Sequence, residues 1–443
     1  MPERHPVSAR DLRKRYSRIL TSPVALFAAI ALAVGVAACT DDIEGGGAAC
    51  PALCPTQPNA FRDTLIDAVD LDTTIGGFPT LGLSSSILLA NRKDTVESNA
   101  IIRFDILPTS YVPNSSGADT VTITTVDSVY LRVVVDSTGA RGLAQVELQA
   151  YDIDTVETNP SPAVVRSLFR ADRLIGATPI TTVAARDTVR IPISKAYLEQ
   201  KIAAKARVRI GIRLAGNTSA QLRIVQQTAG FASPLLTFDP ATDTTFLPVG
   251  VSPNTTFGGV TSEELLAAAV NSLTITATSE AGAQTLSVGG LPSHRSYMRF
   301  NIPQNILDSS TVVRAELLLT QRRNGGVDQN DTIAVVPLIG ISSNLVTDIR
   351  RAMELAAPGF FTTPDLDSLL VIPSDSGVKT LNVLGVFRNW SALPITVPRV
   401  LVLRSSNEGS QPAEARFYSI EAPTSLRPRI RITYLPRVDR ALP

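Results

Sequence analysis

The sequence predicts an all-β protein with short helical insertions, built as two tandem antiparallel β-sandwich domains behind a signal peptide. Three observations carry this prediction. Short runs rich in Val, Ile, Leu, Thr and Arg are broken by Gly, Pro, Asn and Asp along most of the 443-residue chain. The order of these runs occurs twice. The N-terminus has the charge and hydropathy pattern of an export signal.

The first 38 residues are interpreted as that signal. Six basic side chains lie within residues 1–18, and residues 23–38 then contain no charge. A membrane-spanning helix needs about 20 apolar residues, and this run is shorter. Acidic and glycine-rich sequence follows it in place of a basic flank. Cleavage is therefore favoured over retention as a membrane span.

Cys39 follows the small residues Val36, Ala37 and Ala38, which resembles the lipobox of bacterial lipoproteins. The resemblance implies that the Cys39 thiol takes a diacylglycerol and that the lipid binds the protein to a membrane. Acyl chains contribute about 0.8 kcal/mol per buried methylene. Thr40, where an Asp would favour the inner membrane, favours the outer membrane. The alternative is an ordinary signal peptide, whose cleavage site also accepts small residues.

Residues 39–60 are rich in Gly, Ala and Pro and are predicted to be a flexible linker. Cys50 and Cys54 are the other cysteines of the chain. In an exported protein they suit a disulfide, which would stabilise this small loop by roughly 2 kcal/mol. Two free thiols remain the alternative. Half of a metal site is a third interpretation, but the segment offers too few further ligands.

Several strands alternate cleanly between apolar and polar residues. In "RVRIGIRL", Val208, Ile210 and Ile212 alternate with arginines, so one face is predicted to be buried and the other wet. "RPRIRITYLP" near the C-terminus repeats the pattern with Ile430 and Ile432. Strands of this kind pack as two layers.

Seven segments recur in the same order with an offset of about 185 to 200 residues. They are "AIIRFDILP" and "SYMRFNIPQ", "SVYLRVVVDS" and "VRAELLLTQR", "VELQAYDID" and "IAVVPLIGI", "TVRIPI" and "VKTLNV", "RVRIGIRL" and "RVLVLRS", "QLRIVQ" and "ARFYS", "PLLTF" and "RIRITY". Helical periodicity marks insertions at 163–176 and 344–359, and a short helix is predicted at 261–270. The predicted domains are 61–240 and 241–436, with a tail at 437–443.

The second copy resembles the DNRLRE-type β-sandwich module of exported bacterial proteins. The resemblance covers about residues 285–436 and rests on "YMRFNIP", "VVRAELLLT", Trp390, "RVLVLRSSNEG" and a closing pattern. The closing pattern consists of Phe417, Ser419, Glu421, Ala422, Arg427, Pro428 and Tyr434. It implies a jelly-roll, carbohydrate-binding-like fold in an exported setting. The literal Asp-Asn-Arg-Leu-Arg-Glu string is absent, and the first copy lacks both the tryptophan and the closing pattern.

Composition argues against nucleic acid as a partner. Signal cleavage removes six basic and two acidic residues and takes the formal net charge from +1 to −3. The basic residues are scattered singly, without interleaved aromatics.

No catalytic set is predicted, and no cofactor or metal is assigned. His294 is the histidine left after cleavage, and a Ser-His-Asp set would need it with Ser293 or Ser296 and a distant carboxylate. We interpret His294 as an exposed loop residue in a turn before a strand. Most carboxylates fall in turns before strands, although a hydrolase with two converging carboxylates is kept as a hypothesis. Two acidic groups could collect oxygens around calcium but lack an EF-hand pattern: Asp67, Asp70 and Asp72, and Asp152 and Asp154.

Sugar binding on a sheet needs aromatic platforms, and aromatics make up 5% of the chain. Trp390 lies three residues after Phe387 and seven after Val383, a helical spacing that favours a core position over a ligand platform. Tyr111, Tyr151 and Tyr418 are alternative platforms. The predicted function is a non-enzymatic, lipid-anchored cell-envelope protein with a structural or protein-binding role. The alternative is a glycan-binding surface lipoprotein that assists polysaccharide capture.

Overall fold

The computed structural model describes residues 61–78, 84, 86–92, 95–104, 107–113, 119–155, 161–180, 183–184, 186–225, 234–243, 248–254, 270–276, 282–340, 367–394 and 396–436. The predicted signal peptide, the linker with Cys39, Cys50 and Cys54, the tail and the insertion at 344–359 lie outside these residues. The predicted helix at 261–270 also lies outside them, apart from its last residue.

Strands make up most of the described chain. The first twelve are β1 (Arg62–Ile66), β2 (Val69–Phe78), β3 (Ser86–Arg92), β4 (Val96–Phe104), β5 (Ser110–Tyr111), β6 (Val121–Thr122), β7 (Val126–Arg141), β8 (Val146–Asp152), β9 (Leu174–Ile180), β10 (Asp187–Pro192), β11 (Val208–Gly216) and β12 (Ser219–Val225). The next twelve are β13 (Leu235–Pro240), β14 (Val249–Val251), β15 (Val270–Thr276), β16 (Thr285–Gly289), β17 (Ser293–Phe300), β18 (Ser310–Arg322), β19 (Ile333–Gly340), β20 (Leu369–Val371), β21 (Gly377–Asn382), β22 (Arg399–Ser405), β23 (Glu414–Tyr418) and β24 (Arg429–Pro436).

Helices are short and sit between strands. Within the described ranges they are α1 (Pro162–Ser167), a 3-10 turn (Ala171–Arg173), α2 (Lys195–Ala203), α3 (Gln304–Leu307) and α4 (Leu384–Ala392). The Ser161 hydroxyl accepts a hydrogen bond from Val164 N, and Pro162 follows at the first helical position, so α1 begins there. The Ser194 hydroxyl caps α2 in the same way. None of the helices in the described residues has the length and apolar character needed to cross a bilayer.

The described strands form two large antiparallel sheets and a small hairpin of β5 and β6, which confirms the predicted all-β fold class. The first module is the sheet β14-β13-β7-β12-β3-β4-β11-β8-β9, with β10 beside β7 and β15 beside β4, together with α1 and α2. The second module is the sheet β1-β24-β18-β23-β16-β17-β22-β19-β20, with β21 beside β18 and β2 beside β17, together with α3 and α4.

The two sheets have the same strand order. Reading both from the end defined above, β14 corresponds to β1, β13 to β24, β7 to β18, β12 to β23, β3 to β16, β4 to β17, β11 to β22, β8 to β19 and β9 to β20. The side pairings match as well, since β10 corresponds to β21 and β15 to β2. All seven repeated sequence segments occupy corresponding strands, so the repetition in sequence is a repetition of topology.

The first two strands of the chain close the second module. Strand β1 pairs with β24, with Arg62 opposite Tyr434, and β2 pairs with β17, with Asp72 opposite Met298. The first module fills the corresponding places with β14 and β15, which come from later in the chain. The first module is therefore contiguous in sequence, while the second needs both ends of the described chain.

This arrangement differs from the predicted boundaries. Residues 62–78 lie in the sheet formed mostly by the second predicted domain, and residues 249–251 and 270–276 lie in the sheet formed mostly by the first. The limits at 61, 240 and 241 therefore do not coincide with the limits of the sheets. The division into domains stays a prediction.

Each module has its own apolar core. In the first, Leu148 of β8 and Leu236 of β13 belong to one buried cluster although their strands lie near opposite ends of the strand order, so the sheet folds over on itself. In the second module, Ile339 of β19 and Ile430 of β24 likewise belong to one buried cluster, although their strands lie near opposite ends of the strand order. Apolar side chains leave water on the inner faces of both sheets, and this burial is the main favourable term in folding.

The outer face of β11 was predicted to be exposed to water. It is buried, so that prediction is wrong. Arg209 is 1% exposed, and a Cβ on Gly211 would lie 2.6 Å from the Phe169 ring. The helical insertion causes this burial, because Val165 and Phe169 pack over β4, β8 and β11. The predicted alternation does hold in β24, where Ile430 and Ile432 are buried between half-exposed arginines.

Buried ion pairs and an apolar contact join the two modules. The Asp328 carboxylate, 2% exposed, lies 2.7 Å from Arg92 Nη1 and 3.0 Å from Arg141 Nη1. Arg141 Nη2 also lies 2.6 Å from Asp331 Oδ2. Leu88 and Ala90 of β3 cluster with Leu291 of the second module. The loop between β18 and β19 thus contacts two strands of the first module.

Asp72 makes closure of the second module sensitive to pH. Its Oδ2 accepts a hydrogen bond of 2.9 Å from Ile420 N. Burial raises the pKa of Asp72 to about 6, against the opposing effect of that hydrogen bond and with a further contribution from the Glu421 charge. Because the folded pKa exceeds the unfolded value, folding is favoured most while Asp72 is protonated, and this advantage is lost as the pH rises through about 6.

Replacing Asp72 with Asn is therefore expected to raise the free energy of unfolding at pH 8 by about 1 kcal/mol. This value already includes a reduction for screening by solvent. At pH 4 the gain should vanish. Urea titrations at both pH values measure it, with Asp70→Asn as a control, because Asp70 lies on the same strand and pairs at the surface with Arg299. A gain of equal size at pH 4 would contradict the assignment.

Candidate functional site

The cysteines assigned by sequence, Cys39 for lipid attachment and Cys50 and Cys54 for a disulfide, lie outside the described residues. Their predicted roles stay predictions.

His294 lies within strand β17, so its predicted placement in an exposed loop is wrong. The strand already begins at Ser293, and His294 is paired with Gly289 of β16. Its Nδ1 lies 3.0 Å from Glu414 Oε2, and its side chain is only 25% exposed. Burial alone would raise the pKa of Glu414, but hydrogen bonding to His294 and Arg416 holds it below its usual value. Ser296 Oγ donates to the Ser287 carbonyl at 2.8 Å.

Four of the five carboxylates weighed for calcium are held by other partners, and the fifth, Asp67, is exposed. Asp70 pairs with Arg299, and Asp72 binds the backbone at Ile420. Asp152 and Asp154 lie next to cationic side chains. In the part of the chain that the structure describes, no group of three or more His, Cys, Asp or Glu side chains comes together as a metal site would require.

Trp390 is a core residue, as its spacing predicted. It is 1% exposed, and its ring centroid lies 5.2 Å from that of Phe300 and 5.4 Å from that of Phe387. Among the tyrosines weighed as sugar platforms, Tyr151 is 2% exposed and is excluded from that role. Tyr111 and Tyr418 are half-buried.

A cavity lined by charged side chains lies at one end of the first module. We call it the Asp154 pocket, a cavity of about 500 Å³ lined by Asp152, Asp154, Thr155, Arg173, Lys201, Ala206 and Arg207. Four segments build it: the end of β8, the 3-10 turn, α2, and the start of β11. Ligand pockets typically enclose about 300 to 1,000 Å³.

Asp154 is the centre of the pocket's ion-pair network. Its Oδ1 lies 2.7 Å from Arg207 Nε and 3.8 Å from Arg209 Nη1, and its Oδ2 lies 3.2 Å from Lys201 Nζ. Lys201 Nζ is also 3.5 Å from Asp152 Oδ1, so one ammonium group bridges two carboxylates. The side chains of Lys201 and Arg207 are 14% and 19% exposed. These charges are thus fixed at the mouth of a cavity.

Neighbouring groups hold this network in place. Arg173 Nη1 donates to the backbone carbonyls of Asp152 and Asp154, both at 2.8 Å. Tyr197 OH donates to Asp152 Oδ1 at 3.2 Å. Burial raises the pKa of Tyr197 well above its usual value, and the Asp152 charge adds to the effect, so the phenol stays a neutral donor. A network fixed by such contacts needs little reorganisation when a ligand binds.

A second cavity of about 530 Å³ lies in the second module, beside α3 and α4. Its lining is mainly apolar and hydroxyl groups, with Asp308 and Arg388 as one charge of each sign. Such a lining gives no excess charge and few converging polar groups, so the Asp154 pocket is the stronger candidate.

The chain matches no family model and no curated protein. Among solved structures, it is similar to the infectious bursal disease virus VP2 subviral particle, at 10% identity and a TM-score of 0.14, over 84% of this chain and 77% of that chain. It is also similar to the infectious bursal disease virus Gt strain, at 10% identity and a TM-score of 0.09, over 84% and 79%. Likenesses at these scores carry no argument about this chain.

Proposed function

We propose that the chain is a non-enzymatic, lipid-anchored protein of the cell envelope, in which the two modules act as one structural element. The observation that carries the proposal is the closure of the second module by β1 and β2. These strands follow directly after the predicted linker from Cys39, so the first folded segment after the anchor is built into the far end of the described chain. Asp328 further ties the modules together.

The resemblance to the DNRLRE-type module belongs to this proposal. Contacts within its closing pattern support a structural role for those residues. Ser419 Oγ donates to Glu421, the Ala422 amide donates to the Ser419 carbonyl at 3.1 Å, and Arg427 Nε donates to the Ala422 carbonyl at 2.8 Å. Phe417 belongs to the core of the module. The closing pattern therefore forms a turn between two core strands, and hydrogen bonds among its own residues hold that turn.

Replacing Cys39 with Ser is expected to abolish labelling by radioactive palmitate, because the thiol that would carry the acyl chains is removed. Cys50→Ser is the matched control and should stay labelled and membrane-bound. Globomycin should cause the unprocessed precursor of the wild-type chain to accumulate. Palmitate labelling that persists in Cys39→Ser would refute the anchor.

Glycan capture is the second candidate function, and the Asp154 pocket favours it. Paired carboxylates and arginines at the mouth of a cavity can donate to and accept from sugar hydroxyls. A strain that lacks the gene for this protein separates the two roles, with the resistance of its cells to detergent as the readout. If the protein is structural, Lys201→Met should restore detergent resistance as fully as the wild type. If glycan capture is the function, that variant should fail, and a glycan array should show selective binding by the wild-type protein alone.

A further inference from the structure

We infer that one edge of the second module is a membrane-contact surface, which lies against the interfacial region of a phospholipid bilayer. The surface consists of Phe61, directly before β1, Leu65 of β1 and Val313 of β18, and we call it the Phe61 edge. The inference deepens the proposed function and rests on its lipid anchor, because it names the part of the folded chain that faces the membrane.

The first argument is exposure on one face of the sheet. Phe61 is 63% exposed, and Leu65 and Val313 are each 43% exposed. Side chains alternate across an extended strand, which places position 61 on the same side of β1 as position 65. That side is the outer one, because Arg431, the partner of Leu65, alternates in β24 with the buried Ile430.

A bulge adds Val313 to this face. The register of β18 and β24 shifts between Val312 and Arg314, and Val313 is the extra residue. Val312 packs against the core, whereas Val313 is exposed. Arg314 is paired with Thr433, which is paired on its other side with Asp63 of β1. Val313 therefore lies level with the middle of β1, about 10 Å away across one intervening strand.

Polar side chains within the Phe61 edge are already paired with each other. Thr433 Oγ1 donates to Asp63 Oδ1 at 3.2 Å, and Arg314 Nη2 lies 2.5 Å from Glu316 Oε1. Paired polar groups lose less on leaving bulk water than isolated ones do. These contacts lower the cost of bringing the face to the headgroup region of a bilayer.

The second argument is that the fold does not require these apolar side chains. In the first module, β14 takes the place of β1 and β13 that of β24. Aligning the two registers on the aromatic residues that end "PLLTF" and "RIRITY" places Pro248 at the position of Phe61. The same alignment places Ser252 at the position of Leu65. Because the repeat manages with proline and serine, packing does not explain the exposed Phe and Leu, and such a cluster indicates an interaction surface.

The third argument is the position of the patch along the chain. Phe61 is the first described residue after the predicted linker at 39–60. A flexible chain of about 22 residues has a root-mean-square end-to-end distance of about 26 Å, so an acylated Cys39 would hold Phe61 close to the bilayer. Aromatic and other apolar side chains are favoured in the interfacial region. A phospholipid surface is therefore the partner that this edge meets first.

The test attaches the protein to vesicles without its natural lipid, so that the outcome does not depend on acylation. The chain from residue 40, with a polyhistidine tag in place of Cys39 and with Cys50→Ser and Cys54→Ser, is bound to phosphatidylethanolamine and phosphatidylglycerol vesicles that contain a nickel-chelating lipid. Leu65→Cys then carries a nitrobenzoxadiazole fluorophore. Leu370→Cys is the matched control, because Leu370 is 65% exposed on β20, at the opposite end of the strand order from β1.

On vesicles, the fluorophore at position 65 should shift its emission to the blue and be quenched by spin-labelled lipid, whereas the one at position 370 should report water. Adding Phe61→Ser and Val313→Ser to the Leu65→Cys chain should reduce this quenching about twofold, because two apolar contacts with the bilayer are lost. Circular dichroism confirms that the variants are folded.

Equal quenching at positions 65 and 370 would overturn the inference, as would quenching at position 65 that persists in full after Phe61→Ser and Val313→Ser. A blue shift that appears at position 65 without vesicles, as the protein concentration rises, would also overturn it and would identify a second copy of the chain as the partner. These failures leave palmitate labelling of Cys39 unaffected, and loss of the anchor leaves this experiment unaffected.

Discussion

Deleting residues 61–78 is expected to unfold the second module and to leave the first module folded. The deletion removes β1 and β2, which exposes the edges of β24 and β17. It also removes Phe78, which is 1% exposed, packs against Tyr297 and Val400, and lies under the Arg295 guanidinium. Each buried apolar side chain contributes about 1.5 to 3 kcal/mol. Lost together with the fifteen strand residues of β1 and β2, these contacts approach the 5 to 15 kcal/mol that hold a typical domain folded.

Trp390 makes this outcome measurable, because it is the single tryptophan of the chain and lies in the core of the second module. Its emission should shift to the red in the deletion variant, and hydrogen exchange should stay slow in β3, β4, β7 and β11. Removing residues 41–60 is the control and should change neither signal. Phe78→Ala is a milder variant, with an expected loss of about 3 kcal/mol. Native Trp390 emission after the deletion would show that the second module closes without β1 and β2.

Replacing Asp328 with Asn is expected to lower the free energy of unfolding by about 2 to 3 kcal/mol. The carboxylate is buried between Arg92 and Arg141, and removing one member of a buried ion pair leaves the others without compensation. The value falls at the lower end of the usual range because Arg141 keeps 34% exposure. Asn is the suitable replacement, since position 328 has φ of 55° and Asn adopts this backbone conformation more readily than Ala.

The same substitution should uncouple the modules. Urea unfolding followed by Trp390 emission reports the second module, while far-ultraviolet circular dichroism reports both, and their transitions should separate in the variant. Asp331→Asn is the matched control. Asp331 contacts Arg141 but is 30% exposed, so its loss should cost less than 1 kcal/mol. An Asp328→Asn protein with the stability of the wild type would mean that the remaining contacts, among them the apolar contact at Leu291, hold the modules together without this carboxylate.

Much of the fold could be predicted from local pattern. The alternation in "RPRIRITYLP" identified the buried face of β24, and the recurrence of seven segments anticipated two sheets with one strand order. The partners of β1 and β2 could not be predicted this way. Their sequences fit a strand in either sheet, and the choice depends on pairing across most of the chain. The burial of Arg209 was also missed, because the helix that covers it comes from a separate insertion.

The candidate site was only partly visible in sequence. Asp152 and Asp154 were noticed as neighbouring carboxylates, but as oxygen donors for calcium. Their partners Lys201 and Arg207 lie about fifty residues later and look like scattered surface charges until α2 and β11 bring them back to the end of β8. The pocket forms only through this long-range return. A signal was nevertheless available: Asp152 falls where the repeat has the apolar Ile339.

The pairing of the first strands with the last sheet sets the order in which the chain can finish folding. Asp63 and its partner Thr433 are 370 residues apart, so a ribosome or a translocation pore releases β1 long before β24 exists. During that interval β1 and β2 have unpaired edges, which other chains can capture. Completion of the second module should therefore be slow and sensitive to holding chaperones, whereas the contiguous first module can mature while synthesis continues.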